Sequence, residues 1–223
     1  MKNKINNIVL YSLIVFSIYC ALTIGMSWDE LDHIAEGNKR LNYLFSFGTN
    51  EYWDYKGWRF YPGFYNTFVV FVTKMFPKTY EIETLHLVNY LFSISTIFGI
   101  SKISSELFNK KVGKIVFLLC FLNPIFFGHM AINQKDMIIA FSNIWATYLI
   151  IRYLKNQSIN EKRNRYVILG GLVIGFGLGT RIVFLGTLVP IIVISIIDVL
   201  FSKKIIDDKF SNKKLIVDVF KIK

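Results

Sequence analysis

Residues 167–197 have the sequence VILGGLVIGFGLGTRIVFLGTLVPIIVISII, an apolar run in which Arg181 is the one charged side chain. This run indicates the class of fold. A helix needs about 20 apolar residues to cross a bilayer, and this run is longer. The whole chain is similarly apolar: of its 223 residues, 53% are hydrophobic and 18% charged, with a mean hydropathy of +0.44. Soluble domains carry about 25% charged residues. We therefore predict an all-α, polytopic membrane protein.

Six apolar stretches are predicted to be transmembrane helices. They are Ile5–Met26, Leu85–Ser101, Ile115–Met130, Met137–Ile151, Tyr166–Thr180 and Ile182–Phe201. Two segments of the first external loop, Asp29–Phe47 and Gly63–Phe76, are predicted to be helices that lie along the membrane interface. The predicted organisation is a transmembrane domain at 1–201, with its external loop at 27–84, and a basic cytoplasmic tail at 202–223. We expect this tail either to be a short end or to begin a longer continuation.

The charged residues are divided unevenly between the predicted loops. With the N-terminus in the cytoplasm, the inner side carries 18 basic and six acidic residues, a net charge of +12, and the outer side has a net charge of −1. Cytoplasmic loops of membrane proteins are enriched in Lys and Arg. The overall charge of +11 therefore indicates membrane topology, and the long apolar runs exclude a soluble nucleic-acid-binding protein.

The segment Trp28–His33, with the sequence WDELDH, places four titratable side chains directly after the first predicted span. If a helix begins here, Ser27 would cap it and the acids would favour its N-terminus, which is a purely structural interpretation. In the alternative interpretation, a carboxylate at a partly desolvated interface serves as a general base. On such a helix Asp29, Asp32 and His33 share one face, and Glu30 points aside.

The segment Asn123–Asp136 combines a proline in the third predicted span with a polar turn after it. Pro124 is expected to break or kink that span, because proline lacks the amide donor of a helix interior. The turn then brings four polar side chains to the outer surface: His129, Asn133, Lys135 and Asp136. A loop in which Asp136 only caps the next helix is an equally good interpretation.

Arg181 interrupts the longest apolar run of the chain. An arginine near membrane depth is costly and is usually functional. At the outer interface its guanidinium would be a strong phosphate ligand, because its fork of donors matches phosphate oxygens. The structural alternative is an arginine that snorkels from a helix end.

The glycines before Arg181 do not form a nucleotide-binding loop, since no strand precedes them and the G-x-G-x-x-G spacing is absent. Gly171, Gly175 and Gly179 recur every four residues and predict a smooth helix face for close packing.

Another patterned segment of the chain is aromatic: Tyr52, Trp53, Tyr55, Trp58, Phe60, Tyr61, Phe64 and Tyr65. An interfacial aromatic belt explains it, and stacking platforms for a sugar ring would produce the same pattern.

The order of these motifs resembles a known family. An Asp-Glu pair follows the first span at 29–30, and a Tyr-Pro-Gly segment at 61–63 opens the predicted interfacial helix. An Asn-x-Lys-Asp turn at 133–136 precedes a span, and the Gly-rich span runs into Gly-Thr-Arg at 179–181. The sequence, from Ser27 to about Leu188, resembles the N-terminal part of a GT-C membrane glycosyltransferase of the protein O-mannosyltransferase and lipid-A aminoarabinose transferase type.

The resemblance implies transfer of a sugar from a polyprenyl-phosphate-linked donor to an acceptor, which is a protein, a lipid or a glycan. The active site would face outward from the cell (inner) membrane. By resemblance, the catalytic candidates are Asp29, Glu30 and Asp136. The candidates for substrate binding are Arg181, Lys135, His33, Asn133 and His129. No cofactor is expected besides the lipid-linked donor, and a divalent metal is compatible with the activity but not implied.

Three other functions fit parts of the sequence. Charges at membrane depth are typical of lipid or solute transporters, although no inverted repeat is visible among the spans. The acids at 29, 30 and 32 loosely resemble the diphosphate motif of Mg²⁺-dependent prenyltransferases, but such a site should face the cytoplasm. A truncated, non-catalytic GT-C protein would carry the same motifs.

Overall fold

The computed structural model describes residues 2–50, 61–156 and 159–207. The regular structure in these ranges is helical, which confirms the predicted all-α fold. The α-helices are α1 (Lys2–Thr23), α2 (Glu30–Phe45), α3 (Phe64–Thr73), α4 (Glu81–Leu107), α5 (Lys110–Phe121), α6 (Pro124–His129), α7 (Asp136–Lys155), α8 (Asn160–Thr180) and α9 (Phe184–Asp207). The predicted aromatic residues Tyr52, Trp53, Tyr55, Trp58 and Phe60, and residues 208–223 of the predicted tail, lie outside the described residues.

Side-chain contacts establish the relative directions of α4 and α7. At mid-length, Trp145 Nε1 of α7 donates a hydrogen bond to Ser95 Oγ of α4 at 3.0 Å. At their C-terminal ends, Arg152 of α7 forms an ion pair with Glu106 of α4 at 2.7 Å. These two contacts join equivalent levels of the helices, so α4 and α7 run parallel.

Helices α1 and α8 run antiparallel to this pair. Ser17, near the end of α1, lies 2.7 Å from the hydroxyl of Tyr90, early in α4. Arg181, directly after α8, forms an ion pair with Asp136 at the start of α7. One end of the bundle therefore carries the end of α1, the starts of α4 and α7, and the end of α8. We call it the site end.

Within the described residues, two helical segments are long and apolar enough to cross a membrane: Lys78–Leu107, which contains α4, and Asp136–Lys155, which is α7. Shorter apolar segments occupy Ile8–Thr23, Phe64–Thr73 and Phe184–Ile197. Helices α1, α8 and α9 also expose large apolar side chains along their length. Apolar surface of this extent is typical of contact with lipid or with another protein. The number of six crossings stays a prediction.

The third predicted span, Ile115–Met130, is divided in the structure. Helix α5 ends at Phe121, and α6 begins at Pro124 after Asn123, whose Oδ1 accepts a hydrogen bond from the backbone N–H of Phe126 at 2.9 Å. Proline suits the first position of a helix because no amide donor is needed there. The predicted break at Pro124 is confirmed. With 12 residues, α5 is about 18 Å long, less than the roughly 30 Å of a bilayer core.

Helices α2 and α3 pack closely at the site end because Gly37 lies where they cross. A Cβ at this position would collide with the backbone carbonyl of Asn66. Helix α3 is anchored on α4 by Tyr65, which is fully buried and donates a hydrogen bond to Asn89 Oδ1 at 3.2 Å. The predicted interfacial segment at 63–76 therefore contains a helix with one face inside the protein.

The glycine stripe of α8 makes fewer close contacts than the sequence predicts. Gly179 lies against Phe64 of α3, as expected, whereas a Cβ on Gly171 or Gly175 would meet no described atom within 4 Å. Gly177, which is outside the stripe, is pressed against side chains of α7 and α9. The predicted packing face is therefore wrong for Gly171 and Gly175, because α8 turns a different face, which includes Val173, Ile174 and Phe176, toward its described neighbours.

The α2–α3 contact can be tested with Gly37→Ala, which should destabilise the protein by about 1–3 kcal/mol because the added methyl forces two backbones apart. Gly171→Ala is the matched control. Its methyl meets open space on a helix, so it should be neutral or stabilising by up to about 1 kcal/mol. Thermal unfolding in one detergent measures both. Equal melting temperatures for Gly37→Ala and the wild type would contradict the packing described.

Candidate active site

Four polar side chains lie along one face of α2, from its N-cap to its third turn: Asp29, His33, Glu36 and Arg40. Their spacing of four, three and four residues is the spacing of one helical face. Asp29, and not Ser27 as predicted, is the N-cap residue. The side chain of Asp29 is 58% exposed, whereas His33 and Glu36 are 2% and 3% exposed. The face therefore leads from a solvent-exposed carboxylate to a buried one.

Hydrogen bonds connect this face to α3. His33 Nε2 lies 3.2 Å from Asp29 Oδ2, and His33 Nδ1 lies 3.4 Å from Asn66 Nδ2. The same amide nitrogen donates to Glu36 Oε2 at 2.7 Å, and Arg40 Nε donates to Glu36 Oε1 at 2.8 Å. We call these five side chains the polar network. It joins Asp29, at the surface, to groups that lie inside the protein.

Lys135 borders the polar network from the side of α7. Its ammonium lies over the ring of Tyr61, 5.7 Å from the centroid. With these two residues, five others line a small, partly open cavity: Glu36, Pro62, Tyr65, Asn66 and Thr180. The cavity thus has a carboxylate, an amide, an ammonium and aromatic walls.

The charges around Lys135 act on one another across the site. Burial lowers the pKa of Lys135, and the positive charge of Arg181 lowers it further. The carboxylates that raise it are Asp29, Glu36 and Asp136. Burial also lowers the pKa of His33, and the charge of Lys135 adds to this effect. His33 is therefore neutral near pH 7.

Arg181 and Asp136 form a partly exposed ion pair at the site end. Arg181 Nη1 donates to Asp136 Oδ1 at 2.9 Å, with the two side chains 35% and 65% exposed. Asn133 orients this carboxylate, because its Nδ2 donates to Asp136 Oδ2 at 3.2 Å and its Oδ1 accepts from the backbone N–H of Asp136 at 3.0 Å. The Asp136 side chain therefore binds Arg181, and it is Asn133 that accepts the backbone N–H at the start of α7.

Glu30 points away from the cavity, into the contact between α2 and α4. Its side chain is fully buried, and Oε1 lies 2.9 Å from His86 Nε2 of α4. Its other oxygen accepts a hydrogen bond from the backbone N–H of Ser27 at 2.6 Å. A carboxylate buried in this way ties the connection after α1 to α4, and so places the neighbouring Asp29.

A comparison with protein-family models matches residues 62–216, more than half of the chain, to dolichyl-phosphate-mannose-protein mannosyltransferase. The chain belongs to this family. The resemblance found in the sequence is confirmed, and the activity indicated is that of a GT-C-type glycosyltransferase. No curated protein and no solved structure matches the chain.

The part of the site that lies inside the mannosyltransferase match includes Asn66, Lys135, Asp136 and Arg181. Helix α2 and Asp29 precede the matched range, so their place in the site depends on the structure alone. His129 is exposed at the end of α6, and the described lining of the cavity does not include it.

Four residues that contribute to the site were not predicted from the sequence: Glu36, Arg40, Asn66 and His86. A signal for the first two was present, because they continue the helical spacing of Asp29 and His33. Asn66 and His86 had no such signal, since each meets its carboxylate from a different helix.

The buried pair can be tested with Glu30→Leu, which should destabilise the protein by about 2–4 kcal/mol because His86 loses its partner inside the protein. The double variant Glu30→Leu/His86→Leu should recover most of this loss, since two apolar side chains carry no desolvation cost. Glu161→Leu, at an exposed position of α8, is the control. Unfolding in detergent measures all four proteins. A double variant no more stable than Glu30→Leu would exclude the pairing.

Proposed function

We propose that this protein transfers a sugar, carried on a polyprenyl phosphate, to an acceptor hydroxyl at the extracytoplasmic face of a membrane. The family supports a lipid-linked sugar donor. The observation that carries the proposal is the meeting of one exposed carboxylate, Asp29, with two cations, Lys135 and Arg181, at the same end of the helical bundle. Sugar transfer from a lipid phosphate needs a base and a cationic phosphate site.

In the proposed reaction, Asp29 is the general base. The acceptor oxygen attacks the anomeric carbon and gives its proton to Asp29, while the bond from that carbon to the phosphate oxygen breaks. The anomeric carbon gains positive charge in this transition state, which the same carboxylate stabilises. Asp29 suits this role because its side chain is 58% exposed and is held by His33.

The bond electrons leave with the polyprenyl phosphate, whose negative charge Arg181 and Lys135 would stabilise. Arg181 gives one of its five N–H donors to Asp136, and the pair is partly open to solvent. Asp136 therefore orients the guanidinium, and Asn133 in turn holds the Asp136 carboxylate by a hydrogen bond. Glu30 acts indirectly, through the position of Asp29. His129 is left as a candidate for a substrate contact away from the cavity.

The distribution of charge supports an outward-facing site. Lysine and arginine are concentrated in the predicted loops at the end opposite to the site, including Lys110, Lys111, Lys114, Arg163 and Arg165. Such loops stay in the cytoplasm. A site at the other end then faces outward and meets a donor whose lipid chain lies in the membrane.

The role of Asp29 can be tested with Asp29→Asn, which keeps the shape of the side chain but removes the proton acceptor. Turnover should fall by roughly 10²–10⁴-fold, with little change in donor binding. The assay follows radiolabelled mannose from a polyprenyl-phosphate donor in membranes that contain the full chain. Glu161→Gln, at the opposite end, should be fully active. If Asp29→Asn transfers mannose at the wild-type rate, Asp29 is not the base.

The role of Arg181 predicts a different pattern. Arg181→Ala removes a phosphate ligand used in both ground and transition states, so it should weaken donor binding and slow transfer together, by roughly 10²-fold in turnover. Arg181→Lys should recover part of this loss, since lysine keeps the charge but not the fork. Arg165→Ala, exposed on α8, is the matched control. Equal donor KM and turnover in Arg181→Ala and the control would refute phosphate binding by Arg181.

A further inference from the structure

The side-chain amide of Asn66 lies between two other members of the polar network. Asn66 is 5% exposed, and its Nδ2 faces both Glu36 Oε2, at 2.7 Å, and His33 Nδ1, at 3.4 Å. An amide nitrogen carries two hydrogens and accepts none. The identity of the atom at this position therefore decides which protons its two neighbours can hold.

The Glu36–Arg40 pair determines that identity. Arg40 Nε donates to Glu36 Oε1 at 2.8 Å, and Arg40 Nη2 lies 2.6 Å from the same oxygen. As the carboxylate partner of an arginine, Glu36 accepts hydrogen bonds through both oxygens. The atom that faces Oε2 must then be the donor Nδ2 of Asn66. Because this nitrogen also faces His33 Nδ1, that ring nitrogen must accept, and the imidazole proton is on Nε2, directed at Asp29 Oδ2.

We propose that Asn66, oriented by the Glu36–Arg40 pair, is a positioning residue that holds His33 in its neutral Nε2–H form and thereby gives Asp29 a neutral hydrogen-bond donor. The significance for catalysis rests on the proposed function, in which Asp29 is the base. An imidazolium at this place would stabilise ionised Asp29 and weaken it as a base. A neutral imidazole orients the carboxylate and preserves its affinity for a proton.

The charged groups that face His33 act in both directions. Asp29 and Glu36, on its own helix, favour the imidazolium, while Lys135, before α7, opposes it. Asn66 of α3 is uncharged, so it acts by hydrogen bonding alone. A substitution that reverses the Asn66 amide can therefore be distinguished from one that only changes the charge near His33.

The test is Glu36→Gln. The new amide must keep its oxygen toward Arg40, so its NH₂ group faces Asn66. The Asn66 amide then flips, so that Oδ1 takes the place of Nδ2. This oxygen accepts from the new NH₂ group and also faces His33 Nδ1, which can now hold a proton. The pKa of His33 should rise by about one unit, a tenfold change in proton affinity. Loss of the Glu36 charge alone would lower that pKa, since a nearby anion favours the imidazolium. The two explanations predict opposite signs.

The measurement is ring ¹⁵N NMR of the full chain in detergent micelles, titrated between about pH 5 and 8, with the His33 signals assigned by His33→Gln. Unchanged signals of His86 and His129 show that a variant is folded. Glu106→Gln is the control, because Glu106 is held by Arg152 and Lys155 at the opposite end. It should leave the titration of His33 unchanged. If Glu36→Gln does not fold, the tautomer of His33 in the wild type, read from the same spectra, tests the proposal.

A higher titration midpoint for His33 in Glu36→Gln, with Nε2–H as the wild-type tautomer, is the expected result. An unchanged or lower midpoint, or a wild-type His33 protonated on Nδ1, would overturn the proposal. These spectra need no substrate. A failure of the sugar-transfer experiments would therefore remove the proposed function while this result on Asn66 and His33 still stands or falls by itself.

Discussion

A carboxylate buried in a helical bundle must be met by hydrogen-bond donors, and this requirement organises the site end of the protein. Glu30 takes donors from the connection after α1 and faces His86 of α4. Glu36 takes donors from Arg40 and from Asn66 of α3. Through these two acids, helices α2, α3 and α4 are held in one arrangement. An acid left without its partner would destabilise all of these contacts together.

The exposed groups of the site are placed by the buried ones. Asp29 is adjacent to Glu30 and one helical turn before His33, so its position follows from two buried side chains. Gly37 allows α2 to approach α3 closely, which brings Asn66 within reach of Glu36. A well-packed interior thus supports the exposed groups of the candidate site, which is the arrangement that the proposed role of Asp29 needs.

The charges of the site are balanced by pairs that differ in burial. The Arg40–Glu36 pair is mostly inside the protein, whereas the Arg181–Asp136 pair is open to solvent. Lys135 lies between them, and burial together with Arg181 lowers its pKa. The open pair is the one that a phosphate could join without uncovering buried charge. In the proposed function, this difference in burial would let the Arg181–Asp136 pair take up a donor phosphate while the interior pairs stay intact.

Composition and local periodicity are enough to predict the helical, apolar character of the chain, the break at Pro124 and the shared face of Asp29 and His33. The different surroundings of the adjacent acids depend instead on how the helices pack. Asp29 is exposed, while Glu30 is buried against His86, 56 residues away. The same packing leaves Gly171 and Gly175 without the neighbours their spacing predicts. Periodicity shows which residues share a face of one helix, but the partner of that face is chosen by packing between helices that are distant in sequence.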